Sequence, residues 1–93
     1  MDNKEQLIQH PFDRILNEMR KIYVAKNSDY GNSFEDLLNE DGLLVAKIHL
    51  KEKINRFSTL LIKENKVNES IKDTLYDLAN YAVLTIKWLD KHQ

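Results

Sequence analysis

The chain has no cysteine, one proline and two glycines in 93 residues. Without cysteine there is no disulfide, no thiolate nucleophile and no zinc-thiolate site. So little Pro and Gly leaves few obligatory turns, which suits a few long helices and argues against a many-stranded sandwich or barrel. Charge of one sign is also lacking, since 14 Lys and Arg stand against 15 Asp and Glu for a net charge of −1. That balance does not resemble the basic footprint of a general DNA or RNA binder, so duplex nucleic acid is not an expected partner. No apolar run approaches a bilayer crossing, and Met1 to Gln9 has no apolar core of the kind a signal peptide carries. The expectation is a cytoplasmic protein with no membrane partner.

What is present is an ordinary globular composition, 42% apolar and 31% charged. The length fits one domain over residues 1–93. Pro11 suits the first turn of a helix, and Phe12, Ile15, Leu16, Met19, Ile22 and Tyr23 recur at three- and four-residue steps, predicting a first long helix over 11–27. The turn formers Asn27, Ser28, Asp29, Tyr30, Gly31 and Asn32 should end it. Ser33 with Asp36 imitates a capping box, so 34–39 reads as a short helical piece that Gly42 stops. A second long helix over 43–64 carries Leu43, Leu50, Ile54, Phe57 and Leu61 as a core stripe. After the polar Asn65 to Asn68, with Asn68 or Ser70 as a cap, a third long helix runs to Lys91, with Ile71, Leu75, Leu78, Ala82, Ile86 and Leu89 as its core arc. The fold class is all-α.

The third long helix has a second face. Glu69, Asp73, Asp77 and Asn80 lie away from the core arc, followed on the same general side by Val83, Leu84 and Trp88. A three-helix monomer cannot bury two faces of one helix, so this side predicts a homo-oligomer through the third long helix. The alternative is that Trp88 and Val83 pack under the loop after the first helix. The carboxylates Glu69, Asp73 and Asp77 stand one turn apart and have two readings. They could hold Mg²⁺, or they could form a solvated face near a helix N-terminus.

The second long helix carries the opposite sign. His49, Lys53 and Arg56 share one side, and Lys47 falls within the apolar stripe. A Lys and an Arg one turn apart beside an apolar wall can clamp a phosphate, the Lys as a point charge and the Arg as a bidentate fork. Equally, they can snorkel along a core edge or pair with the acids of the next helix. Taken alone, His49 reads as a hydrogen-bonded edge histidine, and the Asp29-Tyr30-Gly31 turn as backbone geometry.

Three blocks occur in order: Lys26-Asn-Ser-Asp-Tyr-Gly-Asn-Ser33, Glu52-Lys-Ile-Asn-Arg56 and Glu69-Ser-Ile-Lys-Asp-Thr-Leu-Tyr-Asp-Leu-Ala-Asn-Tyr81. Over about residues 20–85 they resemble the phage-associated nucleotide modification associated domain, type one family, and the third block is the most specific. That family is similar to the all-α nucleotide pyrophosphohydrolases of the MazG and dUTPase type. The resemblance implies three main antiparallel helices with a short insert, assembled into oligomers with sites between helices. Those enzymes carry Glu-Glu-x-x-Glu on one helix and Glu-x-x-Asp on the next. Here Glu52-Lys53-x-x-Arg56 stands where the first acidic motif would be.

Two functions follow from the resemblance. The first is a phage-type nucleotide-binding protein that sequesters a nucleotide or cyclic nucleotide signal without hydrolysis and without a cofactor. Lys53 and Arg56 would then hold phosphate and Tyr30 or Tyr81 would stack on the base, with Asp29, Lys47, His49, Asp77 and Asn80 completing the site. The second is a Mg²⁺-dependent nucleoside triphosphate pyrophosphohydrolase with Glu69, Asp73 and Asp77 as metal ligands. A helical oligomerisation module with no small ligand is the third possibility.

Overall fold

The structure, a computed structural model, describes residues 10–30, 32–63 and 68–92, with the side chains of all of these except 27–30, 68 and 69. Among the described residues there are four helices and no strand: α1 (Pro11–Tyr30), α2 (Ser33–Asp41), α3 (Leu43–Ile62) and α4 (Asn68–Lys91). The all-α expectation holds. No helix of the described residues is long and apolar enough to cross a membrane. The chain divides into two compact units, residues 1–31 with α1 and residues 32–93 with the other three helices.

In the first unit, Pro11 opens α1, as its fixed φ and missing N–H allow. The His10 ring accepts a hydrogen bond from the Phe12 N–H at 3.1 Å. The helix runs past the expected end at residue 27, so Asp29 and Tyr30 belong to its last turn and not to a loop. Asn, Ser and Asp cost a helix only ~0.5 kcal/mol each, and no Gly or Pro intervenes before Gly31. Gly31 itself lies outside the described residues.

In the second unit, α2 is the expected short helix. Its N-cap is Asn32, and no side chain caps it. The expected Ser33 capping box does not form because Ser33 is already the first helical residue. Gly42 closes α2 and opens α3 at the same position. Its φ of 72° lies in the left-handed region that a side chain disfavours, and its N–H donates to the Leu38 carbonyl at 2.8 Å.

α3 and α4 run antiparallel, since His49 meets Tyr81 and Lys53 meets Asp77. α2 lies along one side of this pair. Leu38, Val45 and Ala46 are buried together, with Phe34 and Trp88 packed against them.

The expected core stripes are buried only in part: Leu50 and Phe57 on α3 and Ile71, Leu78, Ala82 and Leu89 on α4 are half-buried. Leu43, Ile54 and Leu61 of the expected α3 stripe are about half exposed, as are Leu75 and Ile86 of the α4 arc. The buried residues are instead Val45, Ala46 and Leu60 on α3 and Thr74 on α4, with half-buried His49 and Lys53 on the same arc of α3. At 3.6 residues per turn the inner face of each helix sits about a quarter turn from its apolar stripe. The physical reason is that the seam is filled by Ala46, His49, Lys53, Thr74 and Tyr81, residues that a count of large aliphatics passes over. Thr74 is only 2% exposed, and its hydroxyl is satisfied by donating to the Ser70 carbonyl at 2.9 Å.

Part of the second face of α4 is covered within its own unit. Trp88 packs inside its own unit, its indole N–H donating to Asn39 Oδ1 of α2 at 2.9 Å, and Leu84 is half-buried. Only Val83 of that trio is exposed. Of the side read as an oligomer surface, α2 therefore occupies Trp88.

Candidate functional site

Four of the residues singled out from the sequence converge where α3, α4 and the start of α2 meet. Lys53 Nζ lies 3.4 Å from Asp77 Oδ2, and both side chains are mostly buried, at 26% and 17% exposed. The same ammonium stands 5.8 Å from the centroid of the Tyr81 ring, within cation–π range. Tyr81 makes an edge contact with Phe34 at 4.9 Å, Phe34 another with His49 at 5.0 Å, and His49 closes the triangle with Tyr81 at 5.1 Å.

Each member is held by its helix. His49 Nδ1 lies 3.0 Å from the Val45 carbonyl one turn back; a carbonyl only accepts, so Nδ1 carries the proton and the ring is fixed with Nε2 at its far side. Lys53 follows His49 by four residues and Tyr81 follows Asp77 by four, so each helix presents one pair to the other. Phe34 was not singled out in the sequence as a site residue. Its signal was available only as an aromatic at the second position of the short helix, and its role depends on α2 folding back against His49 and Tyr81. Because Phe34 is second in α2, the start of that helix is beside the aromatic triangle. The Asp36 N–H makes the first intrahelical bond, to the Asn32 carbonyl at 2.9 Å, and no side chain caps the N–H groups ahead of it. A helix start favours negative charge, which Glu35 and Asp36 of this first turn supply.

The other candidates lie as follows. Arg56 is exposed, one turn beyond Lys53 on the same side of α3. Lys47 is exposed about a third of a turn around the helix from Lys53 and does not join it. Asn80 is half-buried on α4 next to Tyr81. Asp29 and Tyr30 belong to the first unit, and their side chains lie outside the described ones.

The acidic ladder is only partly described. Asp73 is exposed one turn before Asp77, and the Glu69 side chain lies outside the described residues. Asp77 is engaged by Lys53, and among the described residues no group of three or more His, Cys, Asp or Glu could hold a metal ion. Of the three carboxylates expected as a Mg²⁺ ladder, Asp73 and Asp77 are therefore placed and Glu69 lies outside the described side chains.

In the first turn of α2, Glu35 Oε2 accepts a hydrogen bond from Lys91 Nζ at the end of α4, at 3.0 Å. That hydrogen bond first, then the charges of Lys91, Lys87 and His92, hold the Glu35 carboxyl below its ordinary value of 4.5. A depressed carboxylate contributes stability that is fully present above its unfolded pKa and lost as pH falls through the folded one. Glu35→Gln is therefore expected to lower the melting temperature slightly near pH 6, with the gap to the parent closing in acid below about pH 4. Parallel melts across that range check it; a gap that widens in acid would contradict the pairing.

The basic, aromatic and acidic residues of this junction fall inside a region, residues 26–88, that matches the model of a known family, nucleotide modification associated domain 1. The chain belongs to that family. The match covers more than half of the chain and includes all three sequence blocks, so the junction of α2, α3 and α4 lies within the family's domain. No curated protein and no solved structure matches the chain.

Proposed function

We propose that this member of the nucleotide modification associated domain 1 family holds a phosphate-bearing nucleotide, or a cyclic nucleotide, at the junction of α2, α3 and α4 and does not hydrolyse it. The observation that carries the reading is the position of Lys53, whose ammonium lies 3.4 Å from the Asp77 carboxylate and over the face of Tyr81, the ring that Phe34 of α2 touches. A cation and an aromatic face are two components that nucleotide recognition uses. Lys53 and Arg56 take the phosphate, the former as a compact charge and the latter as a planar fork. Tyr81 takes the base, a stack that contributes about 1–3 kcal/mol. Asp77, exchanged out of its ion pair by the incoming phosphate, accepts a hydrogen bond from a ribose hydroxyl or a base amino group.

Holding is favoured over cutting by the same pair. A Mg²⁺-dependent hydrolase needs its carboxylates free to take metal and to order an attacking water. In this chain a lysine stands on Asp77, and Lys53 and Arg56 replace carboxylates of the MazG-type motif that the sequence resembles. Phosphate charge is then neutralised by the side chains themselves.

The test is a thermal-shift panel of nucleoside mono-, di- and triphosphates and cyclic oligonucleotides in EDTA. Binding to the folded state alone raises the melting point, and a ligand at 100 times its Kd adds about 2.7 kcal/mol. The expected result is a shift with at least one nucleotide and no pyrophosphate released when Mg²⁺ replaces EDTA. A flat panel would remove the binding reading. Mg²⁺-dependent pyrophosphate release would put the hydrolase in its place.

A further inference from the structure

One polar atom of the junction is still without a partner. His49 Nδ1 lies 3.0 Å from the Val45 carbonyl and carries the ring proton, because a carbonyl can only accept. In a neutral imidazole the other nitrogen is then an acceptor, so the α3 backbone decides what Nε2 can do. His10 is the reverse case: its Nδ1 accepts from the Phe12 N–H, which leaves the proton to its Nε2. Among the described residues, Nε2 of His49 meets no donor. Among them, too, no buried or half-buried residue has a side-chain nitrogen or oxygen that is both sealed from solvent and unpaired. His49 is half-buried, so its Nε2 offers a lone pair that a molecule outside the chain can reach.

The surroundings limit what that molecule is. Phe34 and Tyr81 stand 5.0 and 5.1 Å from the imidazole, centroid to centroid, and Lys53 follows one turn along α3. The His49 ring is tilted 53° to Tyr81 and so does not stack on it. All four residues belong to the unit 32–93, so the arrangement owes nothing to α1.

We infer that His49 is a specificity-determining residue of the junction, whose Nε2 accepts a hydrogen bond from the exocyclic amino group of adenine or cytosine. The inference rests on the nucleotide reading proposed above and adds to it the kind of base. A base seated against Tyr81 turns an edge toward the neighbouring imidazole. An amino group on that edge gives the lone pair its donor. An oxo group in the same place sets two acceptors against each other and leaves both unpaired once water is excluded. Uracil and hypoxanthine do carry a ring N–H, but it lies beside a carbonyl, so turning it toward Nε2 brings that oxygen along. A site built to pair with one polar group rejects the analogue lacking it far more strongly than an apolar pocket rejects a change of size.

Calorimetry near pH 8 tests this with two pairs of nucleotides that differ only by amino against oxo. These are the adenosine and inosine forms and the cytidine and uridine forms, at the phosphate length that gives the largest thermal shift. In the tighter-binding pair the amino form should bind at least about tenfold more tightly. His49→Phe keeps an aromatic ring at the position and removes the acceptor, and should narrow the gap to below about threefold. A smaller gap in the parent, or a larger one in the variant, would overturn the inference. Binding confined to guanine nucleotides would overturn it and leave the nucleotide reading in place, whereas silence from every nucleotide would remove both. Should His49→Phe fail to fold, the parent alone decides. A long-range ¹H–¹⁵N spectrum of its imidazoles near pH 8 should show the His49 proton on Nδ1, and a proton on Nε2 would overturn the inference without any ligand.

Discussion

Lys53→Ala is expected to weaken binding of the nucleotide found by the thermal-shift panel by about 10- to 100-fold while leaving the helical circular dichroism unchanged. The size follows from the roughly 1.5–3 kcal/mol of a hydrogen bond to a charged partner, at 1.4 kcal/mol per tenfold. Lys53 is the residue to change because it touches both the acid and the aromatic face of the junction. Its loss leaves the mostly buried Asp77 carboxylate without this cation, so the variant should also melt lower, and binding is to be compared at a temperature where both proteins are folded. Arg56→Ala should cost less, since that side chain is exposed and its gain on binding is diluted by water. Lys47→Ala, a third of a turn away, should change nothing. Calorimetry on the three variants decides the matter, and equal losses at Lys47 and Lys53 would mean that general basicity, not the junction, attracts the ligand.

The largest effect on stability is expected at Leu38→Ala. Leu38 is 1% exposed and sits with Val45 and Ala46 where α2 meets the long helices. Removing its side chain loses the transfer energy and leaves a cavity among neighbours fixed by the Gly42 corner, a cost of about 2–5 kcal/mol. For a unit of this size each kcal/mol is about 4–8 °C, so the melting temperature should fall by roughly 10–40 °C. Leu37→Ala is the control, because Leu37 is 38% exposed and should cost no more than about 1 kcal/mol. Similar losses at the two positions would mean that α2 is not seated as described. Since α2 brings Phe34 to the candidate site, a well-folded but loosened Leu38 variant should also bind nucleotide less tightly.

The helices were legible in the sequence because their punctuation is local. Pro11 and Gly42 mark a start and a corner, and the three- and four-residue spacing of apolar side chains marks the lengths between. Which face each helix buries was legible only in part. Periodicity reports where aliphatics cluster, whereas the α3–α4 seam is decided by Ala46, Thr74 and the ring of Tyr81, which allow close approach or edge contact. The same misreading made Trp88 look surplus, when the nine-residue α2 supplies its partner Asn39. At the site, His49, Lys53, Asp77 and Tyr81 could be named from the family blocks and the opposite charges of two helices. Phe34 could not, because only the turn at Gly42 brings it alongside them.

That turn has a mechanical consequence. A single residue serves as the end of α2 and the beginning of α3, so no slack chain separates the two rods. A tug on Phe34 by anything lodged against its ring is transmitted through Gly42 into the first turn of α3, where Val45 and Ala46 anchor the interior. Occupancy at one end of the short rod would thus be felt at the other as torque on a rigid elbow.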